Sequence, residues 1–315
     1  MKNVLLIGCG NIGFRHLQAL GSAVKGGAAL NLTVVEPNLS SHGRIAAYLA
    51  SLGAATQSAL FNELPPGPGA YDLAILATNS AARRAAFDAV HSRYTLKSVV
   101  FEKVLFPTLG DLDAVAATLQ RDRVAGYVNC GRRTAPGYQA LQSALSSTPV
   151  DIIVTGANYG LGSNAIHFLD LAEFLNSASI EAMDAAGLQP GSVPSKRYGY
   201  VEIFGTISAR LSNGATIRVT CDRDGDPNVV VHLTAGSEEF EIDETGRRLI
   251  RGGVAEDFAM RHVSELTDTY LELLNEGHCV LTPYADSTAQ HRFFLSELLK
   301  HFGQPAEPDE VCPVS

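Results

Sequence analysis

The chain has no tryptophan, three methionines and five cysteines in 315 residues, and lysine supplies few of its 24 basic side chains. Cys9, Cys130, Cys221, Cys279 and Cys312 stand at least 33 residues apart, which excludes the CxxC and Cys/His spacings of a zinc or redox site. No metal is expected, and the cysteines read as reduced thiols of a reducing compartment. Basic charge is also in deficit: 24 Lys and Arg against 33 Asp and Glu leave −9, which repels a phosphate backbone and excludes nucleic acid as a partner. Apolar runs fall far short of the roughly 18 residues that span a bilayer. Val4-Leu5-Leu6-Ile7 is cut off by Gly8 too early for a signal-peptide core. No membrane partner is expected, and the protein is read as cytoplasmic. With 46% hydrophobic and 18% charged residues and no internal repeat, extended disorder is excluded too.

What is present is an alternation. At roughly 150 residues per domain the length implies two domains. Residues 4–7, 32–36, 72–77, 98–101 and 124–129 read as strands, and 12–20, 43–52, 81–93 and 109–121 as helices, with turns such as Pro65-Pro66-Gly67-Pro68-Gly69 between them. This is the pattern of a Rossmann, doubly wound parallel sheet covered by helices, over residues 1–130. The texture then changes. Helices at 137–146 and 164–175 flank a strand at 152–157, and β-branched segments follow at 200–211, 215–221, 229–235, 239–244 and 247–251. Asn213-Gly214 and Asp224-Gly225-Asp226-Pro227 supply turns. Residues 131–303 are therefore expected to form an α+β domain with a large open, mostly antiparallel sheet. Helices at 254–275 and 287–302 close it, and a Pro- and acid-rich tail follows at 304–315.

Gly8-Cys9-Gly10-Asn11-Ile12-Gly13 is GxGxxG placed between an apolar strand and a helix. There the first glycines permit a tight turn and close approach of a pyrophosphate to backbone N–H groups. Gly13 lets helix and strand pack closely, and the helix N-terminus faces the phosphates. The next strand ends at Glu36, whose carboxylate would accept the adenosine ribose hydroxyls and repel a 2′-phosphate, favouring NAD over NADP. Thr78 and Asn79, in Ala77-Thr78-Asn79-Ser80, read equally as cofactor contacts and as a helix N-cap.

With Phe101-Glu102-Lys103-Val104-Leu105 after the fifth strand, the chain resembles the glucose-fructose oxidoreductase / inositol dehydrogenase (Gfo/Idh/MocA) family. That family usually has Glu-Lys-Pro here, its Lys between nicotinamide and substrate, and a helix bearing Asp-x-x-x-His in the second domain. Lys103 matches the Lys and Val104 replaces the Pro. His167 matches the His, and Ser163 stands where the Asp is expected. The resemblance places Glu102 with the cofactor and Asn164 with the substrate. Val128-Asn129-Cys130-Gly131-Arg132-Arg133, Ser163-Asn164-Ala165-Ile166-His167-Phe168-Leu169-Asp170 and Pro194-Ser195-Lys196-Arg197 resemble a branch associated with surface-polysaccharide and sugar-nucleotide pathways. Members commonly associate through the open face of the second sheet, which implies a homodimer or homotetramer.

Oxidising a secondary alcohol needs a base for the hydroxyl proton while hydride leaves for the nicotinamide. If Ser163 or Asn164 caps its helix, His167 lies in the first turn, where the macrodipole keeps the imidazole neutral. Asp170, one turn on, is placed to orient it. Lys103 would stabilise alkoxide character on the reacting oxygen, and Tyr159 is a second proton donor. Arg132, Arg133, Lys196 and Arg197 would clamp a carboxylate or phosphate of the substrate, or serve as solvated or interdomain charges. The expected function is an NAD-dependent oxidoreductase, NADP being less favoured, acting on a sugar, sugar acid or nucleotide sugar. Alternatives are a hydrolase or epimerase that recycles its nicotinamide, and a non-catalytic NAD-binding regulator.

Overall fold

The computed structural model describes residues 1–53 and 56–314. The chain separates into two compact units. The first comprises Met1–Phe106, Asp113–Asn129 and His262–Ala285, and the second Pro107–Leu112, Cys130–Arg261 and Asp286–Ser315.

In the first unit, strands β1 (Lys2–Ile7), β2 (Leu30–Val35), β3 (Ser58–Phe61), β4 (Gly69–Leu76), β5 (Tyr94–Phe101) and β6 (Ala125–Val128) lie in the order β6-β5-β4-β1-β2-β3. Every neighbouring pair is parallel. Helices α1 (Asn11–Lys25), α2 (His42–Ala50), α3 (Ser80–Arg93) and α4 (Leu109–Asp122) alternate with them along the chain. A strand covered on both faces reads as a continuous apolar run, as Val4, Leu5, Leu6 and Ile7 do, and all four are buried. Each such side chain contributes roughly 1.5–3 kcal/mol by burial. The chain winds outward from β1 to β2 and β3 and then returns to β4 on the other side. The carboxyl ends of β1 and β4 therefore flank the switch point where open α/β sheets bind ligands.

The second unit holds α5 (Pro136–Leu145), β7 (Val150–Thr155), α6 (Leu161–Asn176), β8 (Ile180–Asp184), the short pair β9 (Val193–Pro194) and β10 (Val201–Glu202), then β11 (Gly205–Leu211), β12 (Thr216–Cys221), β13 (Val230–Ala235), β14 (Glu238–Asp243), β15 (Arg248–Arg251) and β16 (Val254–Asp257). Its sheet runs β16-β15-β14-β13-β7-β12-β11-β8, with only β7 and β12 parallel among these neighbours. Val150, Ile152 and Val154 are buried while Asp151, Ile153 and Thr155 are exposed, the period-two alternation of a sheet with one covered face. Helix α6 packs on that covered face and buries Leu161, Ile166, Phe168, Leu169, Leu171 and Leu175.

The fold expected from the sequence, a Rossmann parallel sheet and an α+β part with an open antiparallel sheet, is the fold observed. Three local readings are corrected. Residues 254–275 are not one helix: Gly252 and Gly253, both at positive φ, turn the chain so that Val254–Asp257 pairs with β15. The helix α7 (Thr267–Glu276) starts later and packs Leu266, Tyr270, Leu273 and Leu274 into the first unit's core beside Leu17 and Leu20 of α1. Strand 200–211 is two pieces, broken before Gly205 at φ +108°. Strand β17 (Thr282–Pro283) adds an antiparallel edge to β6, and α8 (Tyr284–His301) follows. The segment read as a tail is tied in: Cys312 N–H donates to Pro107 O at 2.8 Å and Val201 N–H to Pro313 O at 2.9 Å. No described helix is long and apolar enough to cross a membrane.

Candidate functional site

The glycine turn after β1 does three jobs. Gly8 has φ +80°, and a Cβ there would sit 3.1 Å from Thr78 N at the end of β4. A Cβ on Gly13 would lie 1.9 Å from Gly8 O, so only glycine allows α1 to approach the strand this closely. A Cβ on Gly10 would meet nothing within 4 Å: that side of the turn is open. Helix α1 begins at Asn11, followed by Ile12, with no side chain capping it and no acidic residue in its first turn. Uncapped N–H groups beside open space and the positive helix end are what a phosphate requires.

Glu36 is 7% exposed at the end of β2. Its Oε2 accepts Cys9 N–H at 2.6 Å and its Oε1 accepts Asn38 N–H at 2.8 Å, so the carboxylate is held against the glycine turn. His42 Nε2 donates to Glu36 O at 2.6 Å. Burial, and then the Glu36 charge, push the Cys9 thiol up to about 12, which keeps it protonated. Asn79 Oδ1 accepts Ala82 N–H at 2.9 Å, so Asn79 caps α3. Thr78 Oγ1 is buried without a hydrogen-bond partner among the described residues. A residue missed in the sequence is Arg83. Only 1% exposed, it donates to the carbonyls of Thr78, Val104 and Leu105, tying the segments after β4 and β5 together. Within Ala81-Ala82-Arg83-Arg84 it looks like an ordinary solvated helix position.

Glu102 faces inward. Its Oε1 accepts His16 Nε2–H at 2.8 Å and Asn129 Nδ2–H at 2.6 Å. Burial opposes its charge, yet the His16 and Asn129 hydrogen bonds and the charges of His16 and Lys103 hold the carboxyl below its ordinary range. Lys103 follows, half-buried, at the carboxyl edge of the first unit's sheet.

In the second unit α6 begins at Leu161 after Gly160, which takes a left-handed φ of +83°. This corrects the expected start: neither Ser163 nor Asn164 is the cap, and His167 lies in the second turn, where the macrodipole acts less strongly. Asn164 Nδ2 donates to Tyr159 O at 2.7 Å and Gly160 O at 3.1 Å. Glu202 supplies a carboxylate at this helix start, its Oε2 accepting Gly162 N–H and its Oε1 the Ser163 hydroxyl, both at 3.0 Å. His167 is half-buried. Asp170, read as its orienting partner, is bidentate to Arg133, accepting from Nε at 2.9 Å and Nη2 at 2.7 Å. Arg132 is bidentate to Glu244 at 2.8 and 2.7 Å and lies 3.7 Å from the centre of the Phe168 ring. The Tyr159 hydroxyl donates to Thr220 O at 3.0 Å, and burial raises its phenol far above neutrality. Lys196 and Arg197 are exposed beyond β9. The structure thus gathers the glycine turn, Glu36, Thr78, Asn79, Glu102 and Lys103 in the first unit, and Arg132, Arg133, Tyr159, Asn164 and His167 in the second.

No family model and no curated protein matches the sequence. Solved structures do match its fold. UDP-N-acetylglucosamine 3-dehydrogenase from Acidithiobacillus ferrooxidans is 16% identical at a TM-score of 0.68, covering 96% of this chain and 97% of its own. An oxidoreductase from Agrobacterium radiobacter, in complex with NAD+, L-tartaric acid and magnesium, is 16% identical at 0.70, covering 93% and 94%. A super-repressor mutant of Gal80p from Saccharomyces cerevisiae is 12% identical at 0.70, covering 96% of each chain. The chain shares the fold of these three proteins over nearly its whole length.

Proposed function

We propose that the chain is an NAD-dependent oxidoreductase acting on a secondary alcohol or ketone of a sugar, sugar acid or nucleotide sugar. The observation that carries this reading is the open, uncapped turn at Gly10, with the Glu36 carboxylate pinned beside it. The backbone N–H groups after Gly10 would hold the pyrophosphate, and Glu36 the adenosine ribose. The unpartnered Thr78 Oγ1 offers a further polar contact at the end of β4. When bound, the nicotinamide ring accepts or returns a hydride. Lys103 donates a hydrogen bond to the reacting oxygen and stabilises its negative charge. His167 takes the hydroxyl proton in oxidation and returns it in reduction. Asn164 orients a substrate hydroxyl. Of the four cations read as an anion clamp, Arg132 and Arg133 are bound to Glu244 and Asp170; Lys196 and Arg197, exposed beyond β9, are assigned the substrate's carboxylate or phosphate. The Agrobacterium neighbour's NAD+ and the Acidithiobacillus neighbour's UDP-sugar chemistry agree with this reading. The Gal80p neighbour favours a second one, a non-catalytic NAD-binding regulator that would use the glycine turn and Glu36 but not His167.

The cofactor half is tested by titration calorimetry. NAD+ binds at least about tenfold tighter than NADP+, because a 2′-phosphate would meet the Glu36 carboxylate. Equal affinities would remove Glu36 from its role.

A further inference from the structure

Behind Glu102 stands a line of buried polar groups drawn from three separate segments. His16 comes from α1, three residues beyond Gly13. Tyr270 comes from α7, and Asn129 follows β6. His16 and Tyr270 are fully buried, Asn129 is 2% exposed, and the His16 Nδ1 lies 2.5 Å from the Tyr270 hydroxyl. A carboxylate only accepts, so His16 Nε2 carries the proton that meets Glu102 Oε1. His16 Nδ1 and the Tyr270 hydroxyl share the second hydrogen bond of the ring. Burial keeps that phenol protonated. The hydrogen bonds link Tyr270 to His16 and His16 to Glu102. The Asn129 amide is oriented by the same carboxylate, because its NH2 must face Glu102. The other titratable groups here are Lys103, whose charge favours ionised Glu102, and Cys279 near Tyr270, a thiol that burial pushes up to about 11 and keeps neutral.

Ordering three side chains around one buried carboxylate costs conformational entropy and desolvation, and apolar residues of similar volume fill such space at no such cost. The arrangement has a use because of the residue that follows. We propose that His16 is a positioning residue for Lys103: tied to Tyr270, it holds the Glu102 carboxylate charged and in place, and so sets the position and electrostatic surroundings of the Lys103 ammonium next to it. The inference rests on reading Lys103 as the group that meets the reacting oxygen, but its test needs neither substrate nor cofactor.

The test is a pulse of acetic anhydride on the full chain at pH 8, with acylation of each lysine quantified by peptide mass spectrometry. Lys97 and Lys300, whose side chains are 75% and 62% exposed, serve as internal reporters of reagent and folding. In His16→Leu the carboxylate loses the hydrogen bond that helps hold it charged and in place, its hold on the Lys103 ammonium weakens, and Lys103 acylation relative to the reporters rises about fivefold or more. In His16→Gln, where an amide N–H replaces Nε2–H, the ratio stays within about twofold of wild type. A Lys103 ratio unchanged in His16→Leu overturns the proposal, and so does a rise shared by every lysine, since a histidine that only stabilised the fold would act that way. Should His16→Leu be insoluble, Tyr270→Phe removes a single oxygen and decides alone: a rise of about threefold or more supports the proposal, and a ratio within about twofold of wild type overturns it. If Lys103 responds while no carbohydrate is oxidised, the positioning role stands and the oxidoreductase reading falls.

Discussion

Asp170→Ala lowers the unfolding free energy by about 3–5 kcal/mol, the penalty for stranding one partner of a buried ion pair. The Asp170 side chain has no exposure and that of Arg133 only 11%. Two parallel hydrogen bonds join them, and Gln290 Nε2 approaches Asp170 Oδ1 at 3.4 Å while donating to Glu173 Oε2 at 2.6 Å. Burial works against the Arg133 charge, and Asp170 outweighs it. Without the carboxylate the guanidinium is left charged among α6 side chains, 5.2 Å from the Phe174 ring centre. Replacing both partners, Arg133→Met with Asp170→Leu, removes the stranded charge and recovers most of the loss. Urea unfolding of the two single variants and the double variant measures this. A loss below about 1 kcal/mol for Asp170→Ala would mean that the pair is not a stabilising element of the second unit. Arg132 and Glu244, at 15% and 10% side-chain exposure, repeat the arrangement nearer to solvent.

His167→Asn lowers kcat by about 10² to 10⁴, equivalent to roughly 3–5 kcal/mol of transition-state stabilisation, with NAD affinity within about twofold of wild type. The two quantities separate because the groups assigned to adenosine and pyrophosphate, Glu36 and the Gly8–Gly13 turn, belong to the first unit, and His167 belongs to the second. Ser163→Ala is the control. Its hydroxyl, with one proton to donate, lies 3.0 Å from the Glu202 carboxylate and 3.2 Å from Gly160 O, a helix-start contact, so its loss costs less than about threefold in kcat. If His167→Asn keeps more than a tenth of wild-type kcat, proton transfer belongs to another group. Tyr159 would then be the first to replace, although its hydroxyl is engaged with Thr220 O.

Much of the first unit was legible because its signals are local. An apolar run, a glycine turn and an apolar-faced helix follow one another within residues 4–25, and Gly8, Gly10 and Gly13 each meet the steric condition that their spacing implied. Glu36 was legible as a strand-end acid, but not its bonds to the Cys9 and Asn38 backbone. Long-range pairing was not legible. Nothing near Arg133 names Asp170 as its partner, and nothing near His16 names Tyr270, 254 residues away. His16 was not singled out in the sequence; the signal that could have found it is its place three residues beyond Gly13, where α1 comes closest to β1. The start of α6 was misplaced for a local reason: Gly160 at positive φ begins the helix earlier than the Ser and Asn that resemble caps. Residues 262–285 were assigned to the second domain by their place in the chain, because an apolar helix face does not reveal which core it will join.

The central claim, that this chain moves hydride between NAD and a carbohydrate, is tested most directly by incubating the full chain with NAD+ and a panel of sugars, sugar acids and nucleotide sugars while recording the absorbance band of the reduced nicotinamide. The account predicts a steady, enzyme-dependent rise with at least one anionic or nucleotide-linked sugar, abolished by His167→Asn. Tight NAD+ binding with no rise on any member of the panel, in either direction of reaction, would contradict it and leave the nicotinamide-recycling and regulator readings in its place.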